Sequence, residues 1–288
     1  MRTISVPLKH LQNIIHEPWV DQSRRPYVRN LVAFVPVIES FPSQTDIPER
    51  KRIGRGYQKL GSVIAFHGSR PTLAEVQEVI GREAPGGIIW ISGHAGVMRE
   101  PEIEVLYGQA GEIDLIESGI LYRLDVTRVM YSQGNREEKK RVAALVNPGE
   151  TACDMFAGIG YFTLSLAQAG AKVSALEINP VSFKYLTENI RSNHLEDQVI
   201  PFCGDCRDLM AGFFNRIHMG HFDAIPFLPT ALCHVQSGTT IHVHMIGDQR
   251  ATVQNYLDAS GEIADMSLHQ VKKIGPGKWH MVADVRIR

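Results

Sequence analysis

The chain has 288 residues, 44% of them hydrophobic and 21% charged, the composition of an ordinary soluble globular protein, and at roughly 150 residues per domain its length predicts two domains. Its 30 Lys and Arg against 31 Asp and Glu leave a net charge of -1, which argues against indiscriminate binding to nucleic acid. The absence of a run of about 18 apolar residues, of an apolar leader in MRTISVPLKHLQNIIHEPW, and of a dense cysteine framework predicts a chain without a transmembrane helix, secretory signal or disulfide scaffold, working in a reducing cytoplasm.

From the N-terminus, PYVRNLVAFVPVIES has strand character, and SVIAFH is an apolar run followed by Pro71 and the helical pattern LAEVQEVIG. GGIIWIS and EIEVLYG read as further strands. Together they predict a smaller α+β domain over residues 1–118, with a linker near Glu117–Gly119. Charge is unevenly spread: residues 1–60 hold ten Lys/Arg against five Asp/Glu, and residues 61–120 hold three against nine. Arg50, Lys51, Arg52, Arg55 and Lys59, with the stretch from Arg123 to Arg141, are the material of a basic patch, which reads equally well as a solvated face.

Residues 119–288 alternate strand and helix patterns. RVAALV closes a helix that Asn147-Pro148-Gly149 breaks, TACDMF is a short buried strand, AGIGYF a turn, and TLSLAQAG a helix. KVSALEI, QVIPFCGD, RIHMGHF, TTIHVHMI and KWHMVADVRI read as strands, and NPVSFKYLTENIRSNH as a helix with Pro180 early, where its missing N–H does no harm. Such alternation predicts an α/β fold with a mostly parallel, doubly wound, Rossmann-like sheet.

The sharpest local feature is Asp154-Met155-Phe156-Ala157-Gly158-Ile159-Gly160, between a strand and a helix. Glycines there let the backbone approach a ligand closely beside the free N–H groups of a helix start. Neither a third glycine at the dinucleotide offset nor a Gly-Lys-Ser/Thr follows, so no phosphate cradle is predicted. Glu177 ends the second strand, where an acid accepts hydrogen bonds from both ribose hydroxyls, and Asp205 ends the third, where it can accept from an adenine amine. Taken singly, Glu177 also reads as a helix cap and Asp205 as a turn residue. In register with the glycine turn, they predict a nucleoside site of S-adenosylmethionine type. Cys203 and Cys206 have a CxxC spacing, and His242 and His244 share one strand face with His218 and His221 nearby. Without a second CxxC these are read as core or surface residues, and no metal is predicted.

DMFAGIGYFTL followed by ALEINP resembles the class I S-adenosylmethionine-dependent fold of two related tRNA enzyme families. One is the archaeal and eukaryotic tRNA guanine-37 N1-methyltransferases. The other is the wybutosine-synthesising transferases, which move the 3-amino-3-carboxypropyl group of S-adenosylmethionine onto the tricyclic base at nucleotide 37 of phenylalanine tRNA. MREPEIEVLYG, YRLDVTRVMYSQGNREEKKRV, RIHMGHF, TTIHVHMIG and VKKIGPGKWHMVADV extend the resemblance over about residues 95–288. The methyltransferases carry Ser-Pro-Arg-Leu where this chain has Ser132-Gln133-Gly134-Asn135, and Asn-Leu-Pro where it has Gly220-His221-Phe222. Ser-x-Gly-Asn and Met-Gly-aromatic are the transferase pattern, with His221 at the position usually held by Tyr. The resemblance therefore implies aminocarboxypropyl transfer, with guanine-37 N1-methylation as the alternative.

Carried over position by position, the resemblance implies that Ser132 and Lys139 bind S-adenosylmethionine near its carboxylate. It implies that Phe156, Ala157, Gly158 and Gly160 form the cofactor turn, Glu177 holds the ribose, Asp205 and Cys206 hold the adenine, and His221 borders the cofactor. Arg99 would engage phosphate or the base, and Glu138 would accept the proton that the base loses; the two also read as a structural ion pair. Tyr161, Phe162 and His221 are candidates to stack on the base, or core aromatics. The implied partner is the anticodon loop of phenylalanine tRNA, approached by the 1–118 region of a cytoplasmic monomer, with no DNA or membrane partner. A non-catalytic RNA-binding paralogue or a small-molecule methyltransferase are the competing classes.

Overall fold

The structure is a computed structural model and describes residues 2–24, 26–46, 56–131, 133–275 and 277–288. It contains two compact units, Met1–Gly56 and Tyr57–Arg288. In the first, a four-stranded antiparallel sheet runs in the order Tyr27–Arg29, Val32–Pro36, Arg2–Pro7, Thr45–Asp46, over a small core of Val20, Ala33 and Val35. The stretch read as one strand, PYVRNLVAFVPVIES, is two strands folded about Asn30 and Leu31, whose φ angles are 49° and 63°. Asn tolerates that left-handed conformation better than other non-glycine residues, so the turn falls there. Of the expected basic patch, Arg50, Lys51, Arg52 and Arg55 lie outside the described residues, while Lys59 is ion-paired with Glu83.

The second unit opens with a sheet of four strands in chain order, Tyr57–Leu60, Val63–His67, Gly87–Ala95 and Glu100–Gly108. The helix Leu73–Glu83 crosses between the second and third, which are therefore parallel. Its start is set by a capping box: Thr72 Oγ1 accepts from Glu75 N–H while the Glu75 carboxylate accepts from Thr72 N–H at 2.7 Å. A hairpin follows, Glu112–Glu117 with Ile120–Asp125. The residues expected to form a linker, near Glu117–Gly119, fall on its two-residue turn, where Ser118 and Gly119 both have positive φ.

The remainder is a seven-stranded sheet. We label its strands β1 (Thr151–Asp154), β2 (Lys172–Glu177), β3 (Val199–Cys203), β4 (Arg216–Met219), β5 (Thr240–Ile246), β6 (Ala264–Gly275) and β7 (Lys278–Ile287). Their order is β3-β2-β1-β4-β5-β7-β6, parallel except at β7, which runs antiparallel to both β5 and β6. The helices are α1 (Arg136–Ala143), α2 (Thr163–Gln168), α3 (Pro180–Ser192), α4 (Cys206–Leu209), α5 (Leu228–Leu232) and α6 (Arg250–Ser260). Strand order reverses between β1 and β4, and ligands of open α/β sheets bind at such a switch point, outside the carboxyl ends of the strands. One strand of this sheet escaped the sequence reading: β6 alternates exposed and half-buried residues at the sheet edge and so lacks the apolar run that marks its neighbours.

Helix α3 holds the hairpin to this sheet by an unusual device. Asn189 Oδ1 accepts from Arg123 N–H at 2.7 Å, and Asn189 Nδ2 donates to Arg123 C=O at 3.1 Å and to Ile159 C=O at 3.0 Å. One turn on, Asn193 repeats the pairing with Leu121, at 2.9 and 2.7 Å. Two side-chain amides thus replace a neighbouring strand along Ile120–Asp125, and the edge of the hairpin is left with paired backbone groups. Among the described residues no helix is long and apolar enough to cross a membrane.

Candidate active site

The glycine turn after β1 is held from both ends by one buried carboxylate. Asp154 accepts from Thr163 Oγ1 at 2.7 Å, at the start of α2, and lies 3.4 Å from Phe156 N–H. Gly158 and Gly160 have φ of 58° and 102°, and a Cβ on Gly160 would stand 2.9 Å from Leu164 Cγ. Only glycine fits that position without strain. The turn brings Gly158 N–H to Glu177, which accepts from it at 2.6 Å and from Asn179 N–H at 2.8 Å. The cap of α3 is Asn179, whose Oδ1 accepts from Val181 and Ser182 N–H, so Glu177 at the end of β2 is not used as a helix cap. Loss of hydration raises the Glu177 pKa to about 7, against the two backbone donors that pull it down.

Two adjoining cavities, of about 230 and 420 Å3, share Arg99, Phe156, Glu177, Ile178 and His221 in their walls. The smaller is completed by Asn135, Gly158, Tyr161, Phe162, Gly220 and Lys272, and the larger by Gly204, Asp205, Cys206 and Phe227. Arg99 arrives from the turn that follows Gly87–Ala95, with φ of 54°. That turn is tied to the sheet by Asn179 Nδ2, which donates to Met98 C=O at 3.1 Å. The Arg99 guanidinium lies 3.4 Å from His221 Nε2, and its buried Nε has no partner. His221 in turn sits against the Phe156 ring, centroids 5.6 Å apart, and burial first, then Arg99, holds its pKa below the ordinary value.

The other expected residues divide. Ala157 is fully buried beneath the turn, its N–H donating to Leu176 C=O. Asp205 caps the short α4 and is ion-paired with Arg207 at 2.5 Å, which holds its carboxyl below the usual range. Cys206 is buried at the wall of the larger cavity, and burial pushes its thiol up to about 11. Ser132 lies outside the described residues. Lys139 is 4% exposed and is not among the residues lining either cavity, with Nζ 2.5 Å from Glu117 and over the rings of Tyr122 and Tyr161. Burial lowers its pKa although Glu117 opposes this. Glu138 does not pair with Arg99. Both its oxygens are held by Arg141, at 2.7 and 2.9 Å, which also grips Asp284 at 2.6 Å. Of the aromatics, Phe162 is buried with its ring 3.8 Å from that of His218, and Tyr161 donates to Met130 C=O.

Of the histidines weighed as ligands, His221 lies in the cavity walls, while His218, His242 and His244 join His280 in the core. His218 Nε2 lies 3.1 Å from His244 Nε2, His280 Nε2 lies 2.9 Å from His244 Nδ1, and His242 is 2.6 Å from Asp284, all four rings fully buried. Burial holds His242, His244 and His280 below the usual histidine range, the last at about 4; His244 meets His218 and His280 through its two ring nitrogens, whereas His242 meets Asp284 and Arg216. Their layer touches the smaller cavity through Gly220, where a Cβ would stand 2.6 Å from His218 Cε1. Lys272 and Asn135 also line that cavity but were not singled out in the sequence as site residues. Lys272 comes from edge strand β6, whose pattern carries no local signal, and Asn135 stood inside Ser-Gln-Gly-Asn, read only as a family mark.

The TRM5/TYW2 methyltransferase domain matches residues 115–272. The chain belongs to the TRM5/TYW2 family. It is 34% identical over 247 residues to the tRNA(Phe) (4-demethylwyosine(37)-C(7)) aminocarboxypropyltransferase of Methanocaldococcus jannaschii, covering 81% of this chain and 98% of that one. It is 33% identical to the Pyrococcus horikoshii enzyme of the same name, covering 84% and 93%. Among solved structures it is similar to M. jannaschii TYW2 in complex with AdoMet, with a TM-score of 0.64 and 30% identity over 81% of this chain and 99% of that one. The seven-stranded sheet with its β3-β2-β1-β4-β5-β7-β6 order is the class I fold of that family.

Proposed function

We propose that the protein transfers the 3-amino-3-carboxypropyl group of S-adenosylmethionine to the tricyclic wyosine-type base at nucleotide 37 of phenylalanine tRNA. The observation that carries this over guanine-37 N1-methylation is Gly220. At this position the methyltransferase pattern has the Asn of Asn-Leu-Pro. Here a Cβ would meet the fully buried His218 ring at 2.6 Å, so the layer of histidines has taken the space an Asn side chain needs. The likeness to two curated aminocarboxypropyltransferases over more than nine-tenths of their length supports the same choice.

The residues present fit S-adenosylmethionine. Glu177 has an unused lone pair on each oxygen for a ribose hydroxyl, and Ile178, Cys206 and Phe227 give the larger cavity beside it apolar wall for a base. Asp205, at the rim of that cavity, keeps acceptor capacity beyond Arg207 for an exocyclic amine. Phe156 lines both cavities and Gly158 the smaller one, so the glycine turn brings its backbone to their wall, with Ala157 and Gly160 shaping the turn beneath. When bound, S-adenosylmethionine supplies a sulfonium whose three carbons are all open to attack, and which of them faces the nucleophile decides the product. This chain's contribution is therefore positioning. Arg99, with a buried Nε lacking a partner at the junction of the cavities, is placed to meet the base or its phosphate. His221 and Phe156 offer ring faces to an unstacked base. Glu138 and Lys139 serve as positioning residues: their pairs with Arg141 and Glu117 fix α1, which begins next to Asn135. The 1–118 region is assigned the approach to the anticodon loop, in a cytoplasmic monomer.

The test uses phenylalanine tRNA bearing the tricyclic base and S-adenosylmethionine labelled separately in its methyl and its carboxypropyl carbons. Carboxypropyl label in the RNA with methylthioadenosine released is the expected result. Methyl label in the RNA with S-adenosylhomocysteine released would overturn it.

A further inference from the structure

Glu138, the group that the family likeness suggests for the proton the base loses, is closed off by Arg141. Among the described residues the smaller cavity has one carboxylate in its wall, Glu177, which the ribose would occupy. His221 already accepts from Asp223 N–H at 3.1 Å and faces the Arg99 guanidinium. Directly behind that wall, three fully buried imidazoles cross four adjacent strands of the sheet. They run from His280 on β7 through His244 on β5 and His218 on β4 to Asp154 at the end of β1, with contacts of 2.9, 3.1 and 3.4 Å. Residues of the cavity wall cover this chain along its length. Phe162 and Gly220 lie against His218, Phe222 meets His280 edge-on with centroids 4.8 Å apart, and Lys272 is the partner of His280 in register on β6.

A neutral imidazole has one N–H and one lone pair, and each contact between two rings uses one of each, so a neutral chain has only two polarities. Asp154 selects between them, because a carboxylate can only accept from His218 Nδ1. His218 Nδ1–H then points to Asp154, His244 Nε2–H to His218, and His280 Nε2–H to His244. This leaves His280 Nδ1 as a lone pair, buried and without a hydrogen-bond partner among the described residues. Such an acceptor is costly to leave unmade. We propose that His280, His244 and His218 form a relay that takes up the proton released by the substrate at His280 Nδ1 and passes one on to Asp154. In the reaction, a ring carbon of the base bonds to the aminocarboxypropyl carbon as the C–S bond breaks, its pair leaving on sulfur. The pair of the base's C–H bond returns to the ring, and the proton passes through cavity water to His280 Nδ1. Each ring hands on its other proton, so Asp154 ends protonated and the three rings end neutral with reversed tautomers. The interior gains no cation and loses an anion. An imidazolium resting at His280 would be disfavoured about 1,000-fold at pH 7, since burial first, then Lys272, holds that ring at about 4 against the pull of Glu138. His242 and Arg141, the other charged or titratable neighbours of His244, keep that ring neutral too. His242 stands outside the relay, fixed between Asp284 and Arg216. The relay rests on the reading that the reaction is aminocarboxypropyl transfer to a ring carbon.

Nitrogen-15 NMR of the full chain in neutral solution reads the resting tautomers, expected as Nδ1–H on His218 and Nε2–H on His244 and His280. The opposite tautomer at any of the three overturns the relay. His244→Gln can keep both hydrogen bonds of the resting chain, its amide donating to His218 and its carbonyl accepting from His280, but it cannot shift a proton. It is expected to bind S-adenosylmethionine within about 2-fold of wild type and to slow single-turnover carboxypropyl transfer about 100-fold at pH 7, the lower end for a lost general base. The deficit should shrink about tenfold per pH unit above that, as hydroxide takes the proton directly. His280→Phe keeps a ring against Phe222 without the lone pair and should show the same split. Transfer at the wild-type rate in either variant overturns the relay. So does a deficit that does not change with pH, or one matched by an equal loss of S-adenosylmethionine affinity, the mark of a layer that only packs. A wild-type protein that puts no carboxypropyl label into the tRNA would refute the reading of the reaction, and the relay with it, a result distinct from all of these.

Discussion

Replacing Glu177 with Gln separates what this carboxylate costs the fold from what it contributes to the ligand. In the folded protein its pKa is raised to about 7, chiefly by lost hydration, against 4.5 for the free group. The folded state therefore binds the proton more tightly than the unfolded state, and the associated stability is present below pH 4.5 and lost as pH rises to about 7. At about 1.36 kcal/mol per pH unit, the wild type should lose about 2 kcal/mol relative to Glu177→Gln between pH 5.5 and 7, with no further divergence above. Gln retains one acceptor but turns a donor toward either Gly158 N–H or Asn179 N–H, which costs about 1–3 kcal/mol at every pH. The two terms nearly cancel in neutral solution, so the variant should fold there. Ligand affinity should behave differently: wild-type binding of S-adenosylmethionine strengthens as pH rises to about 7, while Glu177→Gln binds about 100-fold more weakly with no such dependence. Thermal melts and calorimetry from pH 5.5 to 8.5 on both proteins read all of this. A wild-type affinity flat across that range, with Gln binding as tightly, would refute the placement of the ribose on Glu177.

Two further outcomes test other parts of the argument. Arg99→Lys should leave S-adenosylmethionine affinity within about 2-fold and lower single-turnover transfer to tRNA at least 10-fold, because a point charge cannot reproduce a guanidinium fork; an unchanged rate would remove Arg99 from the reaction. Asn189→Ala strands two carbonyls and one N–H at the joint between α3 and Ile120–Asp125, and should cost about 3 kcal/mol in a denaturant titration, whereas a loss under 1 kcal/mol would mean that the amide ladder does not hold the hairpin.

The catalytic sheet was readable because its signals are local. An apolar run of four or five residues makes a buried strand wherever it sits, and Gly158 and Gly160 make their turn through their own backbone freedom. Glu177 was readable for the same reason, being a fixed step from a strand end. The chain's sequence therefore determined by itself the doubly wound half of the fold, the glycine turn with the carboxylate that meets it, and the family. Tertiary structure alone decided the charges. Lys139 was paired with an anion 22 positions upstream, and Lys272 came to rest against Gly134, 138 positions away, on the cavity wall. Glu138 was drawn into a network with Arg141 and Asp284. The physical reason is that an ion's role is set by which opposite charge it meets in a place without water. That meeting depends on how distant segments pack, which no periodicity along the chain records.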